Sequence, residues 1–269
     1  PAGVQEILDY CILGWALSRH AGVWSGLKCV KDTVEIKEIV DTNAERIVIS
    51  NNSNTKQRND LNIRLIDTPA DQEDRLHCQK LPTVKLFVKN NKIDKAFYAN
   101  KASKIGILSA GKNWLDLLSA LDLLGLDARK CKALGITCYK VGVVWPLEDS
   151  RLRDWAKNLD LILVVEEKRK LLEGQVKNIL FNEIRHAKVI GEKDENGDTL
   201  FQSSFSLNPV QVARALAFQL EKFTDLRILN DKKVSSIGVS DAQKNSNFEP
   251  RQPYFCAGCP HNSSTVIPE

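Results

Sequence analysis

Near its carboxyl end the chain reads Pro253-Tyr254-Phe255-Cys256-Ala257-Gly258-Cys259-Pro260-His261-Asn262, a Cys-x-x-Cys turn. Two sulfurs held by a tight turn can face one ion, or one edge of an iron–sulfur cluster, but four ligands are needed to enclose either. No second Cys-x-x-Cys occurs, and Cys11, Cys29, Cys78, Cys131 and Cys138 are scattered. Of these, Cys11, Cys131 and Cys138 lie among apolar neighbours, where inert buried thiols are expected. His261 follows Cys259 too closely for the usual Cys-to-His zinc interval. It is better suited to hydrogen-bond a cluster sulfur or a bound diphosphate, which makes it a cofactor-binding candidate rather than a ligand. Spacing alone leaves open a metal site at Cys256 and Cys259, a redox pair, or an accidental pair of surface thiols. A reactive redox pair normally opens a helix after a strand, whereas Pro253 to Pro260 follows a polar linker.

Other residue groupings promise less. Gly111-Lys112, between an apolar strand and a helix, can present N–H groups and an ammonium to a phosphate. It lacks the upstream glycine and the Ser or Thr of a phosphate loop, so it reads as a plain strand-to-helix turn. Glu166-Glu167 follows another buried strand, at the sheet edge where open α/β folds place ligands. Adjacent carboxylates on extended backbone point apart, and Lys168 and Arg169 can neutralise them, so a structural role is expected. His20, His77 and His186 have no partner spacing, and no Ser-His-Asp arrangement is present. No catalytic residue is assigned.

The elements that must hold these residues are most legible from 104 to 190. Ile105-Gly106-Ile107-Leu108-Ser109 reads as a buried strand, followed by an amphipathic helix through Leu124. Next come a strand at Thr137–Val141, a helix from Leu147 to Asn158, a strand at Leu161–Val165, a helix over Leu171–Asn182 and a strand near Ala187–Ile190. Such alternation predicts an α/β fold, a doubly wound and mostly parallel sheet with helices on both faces. Asn208-Pro209 opens a closing helix over Val210–Leu220. Upstream, Glu6–Arg19 places Ile7, Leu8, Cys11, Ile12, Trp15, Ala16 and Leu17 on one helical face. A second helical segment is expected over Val30–Val40, an extended run at Arg46–Ser50, and a helix over Leu81–Asn91, beginning near Pro82, with Val84, Phe87 and Val88 inward. Residues 51–79 read as a connection with a short extended piece near Leu61–Ile66, and 229–250 as a polar linker.

Composition bounds the rest. The 269 residues are 43% hydrophobic and carry a net charge of +4, enough apolar surface for one large or two modest cores. Cations alternate with carboxylates, as in Glu166-Glu167-Lys168-Arg169-Lys170, so no phosphate-tracking stripe forms and nucleic acid is not indicated. No run approaches 18 uncharged apolar residues and no signal-peptide order opens the chain, so no membrane is expected and the cytoplasm is the default. Seven cysteines without a regular framework fit a reducing compartment. The chain opens on Pro1, contains no Met and shows no closing element after Val266, which leads us to expect a piece of a longer polypeptide.

The string Tyr254-Phe255-Cys256-Ala257-Gly258-Cys259-Pro260-His261-Asn262-Ser263-Ser264-Thr265, preceded by Arg251 and Pro253, resembles the start of the thiamine diphosphate domain in indolepyruvate ferredoxin oxidoreductases, of the wider 2-oxoacid:ferredoxin oxidoreductase family. Blocks in Val4–Glu35, at Tyr139–Gly142 with Trp145-Pro146-Leu147, and at Leu163–Arg169 resemble the long fused bacterial form, in family order. The resemblance implies five parts. Residues 1–50 are the tail of a pyrimidine-binding domain, 51–100 an interdomain connection, 101–228 a domain similar to the carboxy-terminal domain of transketolase, 229–250 a linker, and 251–269 the start of the thiamine-binding domain. It also implies thiamine diphosphate with Mg2+, a 4Fe-4S cluster ligated by Cys256 and Cys259, ferredoxin and coenzyme A as partners, a 2-oxoacid substrate such as indole-3-pyruvate, and a homodimer. Glu166 becomes an interface candidate. The acidic residue for the aminopyrimidine and the Gly-Asp-Gly motif for magnesium do not appear in these 269 residues, so the piece alone is expected to be inactive. The competing class is a non-catalytic binding module with zinc held between two chains by Cys256 and Cys259. A disulfide reductase ranks behind both.

Overall fold

The computed structural model describes residues 1–50, 61–62, 64–184, 186–223 and 255–266. Five strands form one sheet: β1 (Lys95–Phe97), β2 (Ile105–Ala110), β3 (Ile136–Val141), β4 (Leu161–Val165) and β5 (Lys188–Ile190). Their order is β1-β3-β2-β4-β5, parallel except for β1, which runs antiparallel to β3. The alternation of apolar strands and amphipathic helices over 104–190 therefore yields the α/β sheet that it predicted.

Parallel strands bury both faces, and the side-chain alternation divides them cleanly. Ile105, Ile107, Ile136, Cys138, Leu161, Leu163 and Val165 face one core, completed by α5 (Lys112–Leu123), α6 (Ala128–Ala133) and α9 (Pro209–Phe223). Leu108, Tyr139, Val141, Ile162 and Val164 face the other, beneath α7 (Asp149–Ala156) and α8 (Leu171–Leu180). Gly106 lies on this second face, where a Cβ would stand 2.5 Å from Leu159 Cδ1 and 2.6 Å from Trp155 Cη2. The missing side chain is what lets α7 and the turn after it approach the central strand.

A helical layer lies beyond the end of β3. Helix α1 (Val4–Ala21) packs Leu17 and Ala21 against Val84, Phe87 and Val88 of α4 (Leu81–Asn90), with Ile93 and Val143 alongside. His20 is buried here, its ring 5.3 Å from that of Phe87. Gly22 ends α1 at φ +63°, and a Cβ there would fall 2.0 Å from the Leu61 carbonyl oxygen, so glycine is required on both counts. Asp94 joins this layer to the sheet: fully buried, it accepts hydrogen bonds from Gly142 N at 2.7 Å and Val143 N at 3.4 Å.

Several expectations are corrected. The helix expected over Leu81–Asn91 is α4 (Leu81–Asn90), with Val84, Phe87 and Val88 buried as expected. Before it stands a helix not expected from the sequence, α3 (Pro69–Arg75), opened by a capping box of Thr68 and Asp71. A π-helical turn, Leu76–Lys80, joins α3 to α4 directly before Pro82, with Leu81 N bonded to Leu76 O. Pro82 lacks the N–H of an α-helical ladder, and the wider turn shifts the hydrogen-bond register at that point. The helix expected over Val30–Val40 shrinks to α2 (Lys31–Val34), and Arg46–Ser50 joins no sheet. The apolar face of α1 divides. Leu17 is buried, but Leu8, Ile12 and Trp15 are 38, 39 and 69% exposed and Cys11 is exposed as well. The inward residues Tyr10, Leu13 and Ala16 are those that meet α4. Strand β1 and helix α6 carry too short an apolar pattern to have been foreseen. Leu61 is buried without joining a strand, and Ile63 and the linker 229–250 lie outside the described residues. No helix among the described residues is long and apolar enough to cross a membrane.

Two outcomes test this account. Gly106→Ala should destabilise the fold by about 1–3 kcal/mol through overpacking against Trp155 and Leu159, read by urea unfolding. Burial pushes the Asp94 carboxyl up to about 6, although two backbone N–H groups and Arg151 oppose the shift. A raised folded pKa favours the protonated native state, so its contribution is full below about pH 4 and is lost as pH rises through 6. Asp94→Asn should therefore gain on the parent between pH 4 and 7 by about 1–3 kcal/mol, with unfolding curves at the two pH values as the check.

Candidate functional site

In an open α/β sheet, ligands settle where the strand order reverses, outside the carboxyl ends of the strands. Here that point lies between β2 and β4, and the chain fills it with its own groups. Ser109 at the end of β2 donates to the Val165 carbonyl at 3.0 Å. Lys112, in the first turn of α5, donates to Asp116 Oδ2 at 2.8 Å and to the Leu207 carbonyl at 2.6 Å, with Glu167 Oε2 at 3.9 Å. Asn113 Nδ2 reaches Asp116 at 3.2 Å, and Glu167 Oε2 accepts from Leu207 N at 3.1 Å. Burial raises the Asp116 carboxyl above its ordinary range, and the Lys112 ammonium opposes the shift without cancelling it.

Glu166 and Glu167 thus have separate tasks, as their opposed directions on an extended backbone predict. Both Glu166 oxygens accept from Leu172 N at 2.9 Å, and Oε2 also accepts from Glu173 N at 3.3 Å, so the side chain caps the start of α8. Burial lifts this carboxyl, while the backbone donors act against that. The amino-terminal residues close the same edge from above. Ala2 is buried, the Pro1 carbonyl lies beside Gly111, and Glu6 pairs with Lys140 of β3, whose ammonium stands 5.5 Å from the Trp114 ring centre. Gly111-Lys112 is a structural turn with its cation engaged. Besides the opposed directions of Glu166 and Glu167, the i to i+4 spacing of Lys112 and Asp116 is the local signal that the sequence holds of this network. Glu6 and Lys140, 134 positions apart, had no local signal.

The thiol pair occupies a turn of its own. Cys259 N donates to the Cys256 carbonyl at 3.0 Å, and Gly258 adopts φ 81°, which closes the turn between the two sulfurs. Asn262 Nδ2 donates to the same Cys256 carbonyl at 3.0 Å, and a single helical turn, His261–Ser264, follows. Cys256 is exposed and Cys259 half-buried. The His261 ring rests 5.1 Å from that of Phe255. Soft thiolates on a short turn suit zinc or iron, and they supply two of four ligands. No group of three or more His, Cys, Asp or Glu side chains able to hold a metal occurs among the described residues.

A family model for the indolepyruvate oxidoreductase domain matches residues 95–237, just over half of the chain and the whole of the sheet. The chain belongs to this family. Indolepyruvate oxidoreductase subunit IorA of Archaeoglobus fulgidus is 23% identical over 278 aligned positions, covering 98% of this chain and 38% of the relative. The same subunit of Pyrococcus abyssi is 25% identical over 207, covering 75% of this chain and 28% of the relative. The chain therefore spans well under half the length of these relatives. Among solved structures, a 2-oxoglutarate:ferredoxin oxidoreductase from Magnetococcus marinus with 2-oxoglutarate, coenzyme A and succinyl-CoA bound is similar at 12% identity and a TM-score of 0.38, over 60% of this chain and 25% of that one. That likeness is too slight to place any residue.

In this member of the indolepyruvate oxidoreductase family, Lys112 holds two carboxylates and a carbonyl together at the sheet edge. Lys112→Ala leaves Asp116 and Glu167 facing each other without a cation. Thermal and urea unfolding should show a loss of about 3–5 kcal/mol, the range for breaking a buried pair from one side.

Proposed function

We propose that these residues form part of an oxidoreductase that converts an aryl 2-oxoacid such as indole-3-pyruvate to its acyl-coenzyme A thioester, with loss of carbon dioxide and transfer of electrons to ferredoxin. The observation that carries this reading is the Cys256-Ala257-Gly258-Cys259 turn downstream of an indolepyruvate oxidoreductase domain. Two thiolates on one turn can bind one edge of a 4Fe-4S cluster, whose remaining ligands would come from sequence beyond these residues. His261, beside the turn, would hydrogen-bond to a cluster sulfur or to the diphosphate. When bound, thiamine diphosphate with its Mg2+ supplies the carbanion stabilisation that decarboxylation needs, and the protein supplies position and electrostatics. No residue here is assigned to that chemistry, and the 269-residue chain is expected to be inactive by itself.

The proposed division of the chain follows. Residues 101–228 serve as a scaffold, since the crevice where such a sheet would bind a ligand is occupied by Lys112, Asn113, Asp116 and Glu167. Residues 1–50 form the end of a pyrimidine-binding domain, 51–100 a connection, 229–250 a linker and 251–269 the start of the thiamine-binding domain. One feature supports the reading of residues 1–50: of the 24 large apolar side chains exposed among the described residues, nine lie between Leu8 and Val48, including Trp15 and Trp24, a surface suited to burial against another domain. We propose further that the enzyme is a cytoplasmic homodimer.

Anaerobic reconstitution followed by iron and sulfide analysis tests the reading. The 269-residue chain should hold no stable cluster. The protein in its longer native form should be brown, and Cys256→Ser or Cys259→Ser should bleach it. A full complement of four irons on the monomeric 269-residue chain would contradict the proposal. Zinc at about half an equivalent per chain, with dimerisation, would favour the paired-thiol binding module instead.

A further inference from the structure

The thiol turn keeps its shape without a core beneath it. Of residues 255–266, Cys259 is half-buried and every other one is exposed. Hydrogen bonds within the turn must therefore fix it, and one residue takes part at both cysteines. The Asn262 main-chain N–H donates to the Cys259 carbonyl at 3.0 Å, and its side-chain Nδ2 donates to the Cys256 carbonyl, also at 3.0 Å. The Cys256 oxygen accepts a second bond, from Cys259 N, so both of its lone pairs are used. Among the described residues no other side chain bonds to the backbone of either cysteine.

These carbonyls matter for what their planes carry. Holding a peptide plane holds the ψ angle of the cysteine that leads into it, and with it the direction of the Cα–Cβ bond, which leaves χ1 as the main freedom of each sulfur. Two thiolates that close on one ion must converge on it. A turn whose backbone is already set gives up only side-chain rotamers when the metal arrives, whereas a loose one gives up backbone freedom as well and binds more weakly. Gly258, at φ 81°, permits the turn, and the Phe255 and His261 rings draw its two ends together. Asn262 then ties the following helical turn to both cysteines at once. A carbonyl only accepts, so the NH2 end of the Asn262 amide is the end that faces Cys256.

We propose that Asn262 is a positioning residue of the thiol site: through the two carbonyls it sets Cys256 and Cys259 so that both sulfurs close on one metal centre, without itself touching the metal. The inference rests on the reading of the two cysteines as ligands and adds to it a residue that the thiol spacing does not reveal. It holds for any thiolate-binding metal, since what Asn262 acts on is the backbone that carries the sulfurs.

Co2+ alone, titrated without oxygen into the reduced 269-residue chain, is the probe, because each sulfur that binds it adds to a charge-transfer absorption. With seven cysteines present, the part of that absorption which Cys256→Ser removes belongs to the turn. Asn262→Ala should weaken Co2+ binding at the turn about three- to tenfold, the equivalent of one hydrogen bond. The absorption per bound Co2+ and the unfolding midpoint should stay those of the parent, so that the loss is neither of a sulfur nor of the fold. Parent affinity in Asn262→Ala would overturn the proposal and leave the ligand reading intact. An unfolding midpoint that falls along with the affinity would make Asn262 a structural residue and overturn it as well. If Cys256→Ser removes no absorption, the ligand reading and the role of Asn262 fall together.

Discussion

The central strand β2 is hydrogen-bonded along its length to β3 on one side and β4 on the other, and its two faces belong to two different cores. Ile105 and Ile107 reach α5 and α9, while Leu108 and the bare Gly106 meet the α7 side. Every other element takes its place from this strand. A side chain at Gly106 would push Trp155 away, and Trp155 in turn holds Thr137 and stacks on Tyr139. A parallel sheet has no water-facing side to absorb such an error, so close approach at one residue sets the spacing of a whole helical layer.

The same strand delivers Lys112 to the reversal point of the sheet, and there the molecule departs from the usual use of its fold. Asn113, Asp116, Glu167 and the Leu207 carbonyl surround the ammonium, and the chain's first residues pass over the top. Glu166 is spent on the first N–H groups of α8. The side chains of this crevice are spent on one another, and their worth is mechanical. They fix the carboxyl ends of β2 and β4, the start of α5 and the lead-in to α9 as one rigid edge.

Much of this edge could be read from sequence because it rests on long apolar runs. Ile105–Ser109 and Leu161–Val165 have little choice but to become buried strands, and their tails therefore had to meet. The separate fates of Glu166 and Glu167 followed from extended-chain geometry. What escaped notice had short or charged signals: three residues in β1, six in α6, and the acidic first turn at Pro69, where Thr68 and Asp71 form a cap amid many charges. Helix α1 misled for another reason. Its apolar residues span more than one face, and periodicity does not say which stripe a given neighbour will take, so Tyr10, Leu13 and Leu17 went to α4 while Leu8, Ile12 and Trp15 stayed outside. The thiol turn was legible as a motif, because Gly258 and the Cys256 spacing define it locally.

Both rims of the sheet, β1 and β5, are three-residue strands that open on an exposed lysine, Lys95 and Lys188. A strand from another molecule would find few backbone groups to pair with there and a charge to displace. Copies crowded together are thus discouraged from fusing their sheets into a continuous ribbon.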